Sequence, residues 1–91
     1  SYHNIVYFYK YNDPSIEQKA RQRVFSRILE ELKQDEGKNV MLIPIAGDNN
    51  LTSVDLLIKT YEISNLPTIL IDETVKIDTL ETKEDIEKYL N

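Results

Sequence analysis

One histidine, sixteen carboxylates and no cysteine limit the chemistry open to this 91-residue chain. Without a thiol there is no disulfide, no thiolate nucleophile, no zinc–thiolate site and no iron–sulfur cluster. His3 is the sole imidazole, and its place in the sequence suggests a frayed end, so a histidine metal cluster is excluded as well. Asp48 and Asn50 alternate oxygen ligands as a calcium loop does, but the glycine and distal glutamate of such a loop are missing. No metal and no cofactor are expected. Two side-chain sets remain. Tyr7, Tyr9 and Tyr11 recur at period two and would share one strand face. They could stack a ligand, but core packing with wet hydroxyls is the preferred reading. Lys19, Arg21, Arg23 and Arg27 fall mostly off the apolar stripe of a helix. They could meet an acidic partner, and a solvated face is the plainer alternative.

The composition is that of an ordinary soluble globular chain, 41% apolar and 30% charged, and the length suits a single domain, residues 1–91. The longest apolar stretch, residues 40–46, is too short to span a bilayer. No signal-like segment stands at the N-terminus, and Ser1 is compatible with a cloning remnant, so the cellular compartment is left open. The net charge of −5 argues against a nucleic-acid partner. Most of the acid excess falls after residue 38, as a solvated acidic surface would.

The elements that must position these residues follow from pattern and punctuation. Residues 5–9 are β-branched and aromatic, and predict a buried strand. Asp13 is the expected N-cap and Pro14 the expected first residue of a helix running to about Glu36. Ile16, Ala20, Val24 and Ile28 form its predicted apolar stripe, flanked by Phe25, Leu29 and Leu32, and Gly37 its C-cap. Residues 39–46 predict a second strand, and Pro44 within it removes a ladder donor, so this strand belongs at a sheet edge. A helix over residues 52–63 opens on an approximate capping box, Thr52 to Asp55, with Val54, Leu57, Ile58 and Tyr61 inward. Pro67 opens a continuous apolar strand to Ile71. Asp72 and Glu73 lead into an alternating strand over residues 74–78, and the lack of Gly or Asn there predicts a longer or irregular turn. A last helix follows Thr82, with Ile86, Tyr89 and Leu90 inward.

The order is β-α-β-α-β-β-α, an α/β fold with a four-stranded mixed sheet. Strands 1 and 2 flank a helix and should be parallel. Strands 1 and 3 are the most continuously apolar and should be central; strands 2 and 4 should be edges. The expected strand order is therefore 2-1-3-4, with strand 3 antiparallel to strand 1.

Two motifs within this order resemble the minimal thioredoxin fold. Tyr61-Glu62-Ile63-Ser64-Asn65-Leu66-Pro67-Thr68-Ile69-Leu70-Ile71 is similar to the segment in which thioredoxins pass from a helix through a cis-proline into a central strand. Tyr11-Asn12-Asp13-Pro14-Ser15 lies where they carry Trp-Cys-Gly-Pro-Cys. The resemblance covers almost the whole chain and implies a cis Leu66–Pro67 bond. The departures matter more for function. Asn12 and Ser15 stand at the two cysteine positions, so dithiol–disulfide exchange is impossible. Val6 stands where thioredoxins bury an aspartate. The N-terminal strand and helix of full thioredoxins have no counterpart in these residues.

What the resemblance leaves is a binding surface. An extended peptide would lie along a groove lined by Tyr11, Asn12, Asp13, Ser15, Leu66 and Pro67, held by backbone pairing. The expected function is thus a redox-inactive module that binds a protein or peptide, or one retained only for folding, within a larger protein. A second hypothesis is a glutathione-using or other thiol-handling enzyme, with Ser15 at the helix N-terminus activating a bound thiol; such relatives carry a second, helical domain. A third is a redox thioredoxin whose cysteines have been replaced.

Overall fold

In β1, His3–Tyr9, side chains alternate between two faces of the sheet, and both faces are covered. Ile5 and Tyr7 enter one apolar cluster and Phe8 another. The computed structural model describes residues 2–91, and Ser1 lies outside them. After β1 come α1 (Ile16–Glu36), a 3₁₀ turn (Gly37–Asn39), β2 (Val40–Ala46), α2 (Thr52–Thr60), β3 (Thr68–Ile71), β4 (Val75–Ile77) and α3 (Glu84–Glu87). The sheet order is β2-β1-β3-β4, as the sequence predicts. β1 and β2 are parallel, and β3 is antiparallel to both β1 and β4. Pro44 sits in the edge strand β2 opposite Tyr7. Every residue of β3 is buried, as a central strand requires.

The larger core lies between the sheet and α1 and α3. Phe25, Ile28, Leu29 and Leu32 of α1 and Ile86 of α3 pack on Ile5, Ile69 and Ile71. Tyr7 is buried there, its ring 5.6 Å from that of Tyr9 and 6.0 Å from that of Phe25. Burial pushes the Tyr7 hydroxyl pKa up from its ordinary value. Tyr7 is a core residue and Tyr9 is partly buried against that core, whereas Tyr11 is 68% exposed. The smaller core, Phe8, Ile63 and Leu70, lies on the other face, with Ile58, Tyr61 and Leu66 packed against it.

Several local expectations are corrected. The N-cap of α1 is Ser15, not Asp13, and Pro14 precedes the helix. Ser15 Oγ accepts from Gln18 N–H at 3.0 Å while Gln18 Oε1 accepts from Ser15 N–H at 2.9 Å, satisfying two donors reciprocally. Asp13 instead takes a left-handed φ of 46° in the turn before the helix. The buried stripe of α1 is Phe25, Ile28, Leu29 and Leu32, and Ile16 and Ala20 are exposed. Nine residues at 3.6 per turn put Ile16 about 180° from Phe25, and the larger side chains set which side faces in.

Helix α2 ends at Thr60 rather than Ile63, and its N-cap is Leu51 with no side-chain cap bond. The helix begins at Thr52 itself, so Thr52 cannot act as the cap. Leu57 is 38% exposed rather than inward. In α3 the carboxylate of Asp85 accepts from Glu81 and Thr82 N–H. Ile86 is buried, but Tyr89 is 42% exposed. The β3–β4 connection is three residues long, Asp72-Glu73-Thr74, with Asp72 and Glu73 at φ 50° and 62°. His3 is not frayed: it lies in β1, and its Nδ1 is 2.6 Å from Asp72 Oδ2. Gly37 does cap α1, at φ 57°.

Candidate functional site

The β1–α1 loop, the β2–α2 loop and the approach to β3 converge at one end of the sheet. Gly47 N–H donates to Tyr9 O at 2.8 Å, bringing the β2–α2 loop beside the end of β1. Asp48 then holds the β1–α1 loop. Its carboxylate accepts from Tyr11 N–H and Asn12 N–H, both at 2.8 Å, and from Lys10 Nζ at 3.0 Å. The Asn12 side-chain amide donates back to Asp48 O at 3.2 Å. Partial desolvation opposes ionisation of Asp48, but the hydrogen bonds from Tyr11, Asn12 and Lys10 hold its pKa well below the usual carboxylate range. Gln22 secures the residue before, accepting from Lys10 N–H at 2.6 Å and donating to Lys10 O at 3.2 Å.

The opposite wall is Ser64, Asn65 and Leu66. The Leu66–Pro67 peptide bond is cis, and Pro67 is fully buried. Thr68 Oγ1 donates to Asn65 O at 2.5 Å. Asn65 Nδ2 donates to Asp78 Oδ2 at 3.3 Å, and Arg21 donates to Asp78 O. Leu66 presses against Gly47 so closely that a Cβ there would stand 3.0 Å from Leu66 Cδ1. Between the walls runs an open cleft of about 590 Å³. Lys10, Ser15, Glu17, Gln18, Arg21 and Asp48 line one side, with Ser64, Asn65 and Leu66 on the other.

Of the six residues singled out in the sequence, Ser15 and Leu66 line this cleft. Tyr11 and Asn12 are exposed beside it, Asn12 turned onto Asp48. Asp13 lies in the exposed turn before α1, and Pro67 is buried behind Leu66. Asp48, Gln18 and Gln22 were not singled out as site residues. In the sequence Asp48 is marked only by the oxygen-ligand alternation of a calcium loop, and its spacing carries no sign of the amides it accepts from.

The reactive inventory of the cleft is small. No histidine lines it, and Lys10 and Asp48 are committed to each other. Ser15 Oγ serves as the helix cap. Among the described residues no group of three His, Asp or Glu side chains could hold a metal ion. What the walls offer is backbone: Leu66 N–H makes no hydrogen bond among the described residues, and Leu66 O receives only a 3.5 Å contact from Gln18 Nε2.

No family model matches the sequence, and no curated protein does. Solved structures do match it. A thioredoxin-2 described as a component of the malaria parasite protein secretion machinery is 19% identical, with a TM-score of 0.71 over 98% of this chain and 81% of that one. Thioredoxin O2 from Arabidopsis thaliana in the oxidized state is 15% identical, with a TM-score of 0.70 over 99% and 73%. Human ERp44 in its zinc-bound form is 15% identical, with a TM-score of 0.67 over 98% of this chain but 27% of its own. At these identities the likeness speaks for the fold alone. The chain has the thioredoxin fold, and with no cysteine in its 91 residues it has no CxxC motif.

Proposed function

We propose that this chain is a redox-inactive thioredoxin-like unit that binds an extended protein segment in the cleft between the start of α1 and Leu66. The observation that carries this reading is the unpaired Leu66 N–H on the wall of an open cleft. A peptide backbone laid there would accept from Leu66 N–H and donate to Leu66 O, gaining affinity without a reactive group. The absence of cysteine removes thiol exchange as the purpose of the cleft. The net charge of −5 disfavours nucleic acid as the partner. No described helix is long and apolar enough to cross a membrane. In this reading Ser15 shapes the helix start and activates no thiol, so the chain is not an enzyme.

Titration of the isotope-labelled protein with a panel of extended peptides tests the proposal by NMR. The expected result is amide shifts at Ser15, Gln18 and Leu66, with none along β4. A panel that moves nothing at Leu66 would overturn it. Glutathione in a calorimeter should give no binding heat; heat accompanied by shifts at Ser15 would favour the thiol-handling alternative.

A further inference from the structure

Charge along α1 is segregated, although Glu17 in the first turn and Lys33 in the last are favourably placed. Residues 16–27 carry Lys19, Arg21, Arg23 and Arg27 against one acid, Glu17. Residues 30–36 carry Glu30, Glu31, Asp35 and Glu36 against Lys33. The helix dipole rewards acids in the first turn and cations in the last, so Asp35 and Glu36 sit at the unfavourable end. Within the cationic half, Lys19, Arg23 and Arg27 set like charges four residues apart, which is unfavourable in an isolated helix.

The cations also divide by what they touch. Lys10 is engaged by Asp48, Arg21 by Asp78 O, Lys33 by Gly37 O and Lys83 by Asp35. The side chains of Lys19 and Arg23 make no ion pair among the described residues, and Arg27 meets only Glu31, at 3.5 Å with both side chains about half exposed. Lys19, Arg23 and Arg27 recur every four residues, a rise of about 6 Å per step, on the exposed side of the helix. With Gln22, Ser26 and Glu30 they border a shallow depression of about 460 Å³. Ile16 lies on the same side, 88% exposed, at the end of the row nearest the helix start.

We propose that this face of α1 docks an acidic protein segment, with carboxylates on Lys19, Arg23 and Arg27 and an apolar side chain on Ile16. An extended chain sets alternate side chains about 6.6 Å apart, close to the spacing of the cations, so acids at alternate positions meet them in turn. The row is short: Glu30 and Glu31 end it after Arg27. A short acidic run fits that length, whereas a nucleic-acid backbone would run on into repelling charge. This depression shares no lining residue with the cleft beside Leu66, so the proposal goes beyond the function argued above and does not rest on it.

The test is fluorescence anisotropy with a labelled peptide in which a leucine precedes three glutamates at alternate serine-spaced positions. The control peptide has glutamine in place of each glutamate. The acidic peptide should bind, the control should bind at least about tenfold more weakly, and R23E/R27E should lose about tenfold or more. Salt above about 0.5 M should weaken binding similarly. Amide shifts should centre on residues 19–27, leaving Leu66 unmoved, and I16S should weaken both peptides. Circular dichroism checks that the variants fold, and R23Q/R27Q gives the same readout if charge reversal disturbs the helix. Equal affinity for the two peptides, or undiminished binding by the charge variants, would overturn the proposal. So would shifts centred on Ser64 and Leu66, or tighter binding of a single-stranded oligonucleotide of equal length.

Discussion

Asp48→Ala is the sharpest perturbation of the site's frame, because it removes one side chain that three donors use at once. Tyr11 N–H and Asn12 N–H at 2.8 Å and Lys10 Nζ at 3.0 Å all lose their acceptor. A hydrogen bond to a charged group contributes about 1.5–3 kcal/mol when its partner is left dry. Here Tyr11 and Asn12 are exposed, so water replaces much of what is lost. The summed cost should be about 2–3 kcal/mol, or a fall in Tm of roughly 10–20 °C for a domain of this size. Asp48→Asn keeps the shape and one acceptor oxygen and should cost about half as much. The sign of the pH dependence follows from the lowered pKa of Asp48 in the folded state. Its stabilisation is complete above the unfolded carboxylate value, about 3.9, and is lost as pH falls toward the folded value. Urea unfolding followed by tyrosine fluorescence, using the six tyrosines of a chain without tryptophan, measures this directly. The two proteins should differ most near pH 7 and converge below pH about 4. A difference under about 0.5 kcal/mol at pH 7, or one that does not shrink in acid, would refute the assignment of Asp48 as the loop's anchor.

Phe25, 1% exposed in the larger core, should cost about 3–5 kcal/mol when replaced by alanine, read from the urea midpoint or as failure to fold. Gly47→Ala should leave the melting curve nearly unchanged, because the Leu66 methyls 3.0–3.1 Å from the new Cβ can turn aside. It should still shift the Leu66 resonances in NMR spectra and weaken peptide binding in the cleft; unmoved Leu66 signals would contradict the contact. Asp72, held by His3 and by Asn4 N–H at 2.8 Å, has its carboxyl pKa lowered chiefly by the His3 hydrogen bond. Its side chain is 35% exposed, so Asp72→Asn should cost only about 1 kcal/mol. That loss should be seen at neutral pH and fade as the pH falls through the carboxylate range toward the folded value, measured by urea unfolding across pH.

The sheet was readable because each strand carries its own punctuation. Pro44 marks an edge, the unbroken run of residues 68–71 marks a buried centre, and both depend only on local chemistry. Helix starts were less readable. Asp13-Pro14 and Ser15-to-Gln18 are both valid openings, and the choice fell to the reciprocal pair, two hydrogen bonds made within three residues. The stripe of α1 was misplaced for a related reason: Ile16 fits the period, but the helix turns to bury Phe25, Leu29 and Leu32, and that is decided by the sheet opposite. His3 showed the same limit, since its partner Asp72 is 69 residues away.

The site illustrates this limit most clearly. Ser15 and Leu66 are legible as groove residues, because the helix start and the proline mark them in the sequence. Yet the separation of the two walls is set by neither. It is set by consecutive residues of the β2–α2 loop. Gly47, lacking a Cβ, lets Leu66 approach from one side, while the carboxylate of Asp48 draws Tyr11 and Asn12 in from the other. The two act on opposite walls by different physics, one steric and one electrostatic. Alanine at Gly47 should therefore move Leu66 without loosening the β1–α1 loop, and alanine at Asp48 should loosen that loop without moving Leu66. The cleft can then keep a defined width with no partner bound, because the donors of its loop are already satisfied by Asp48 in its own wall.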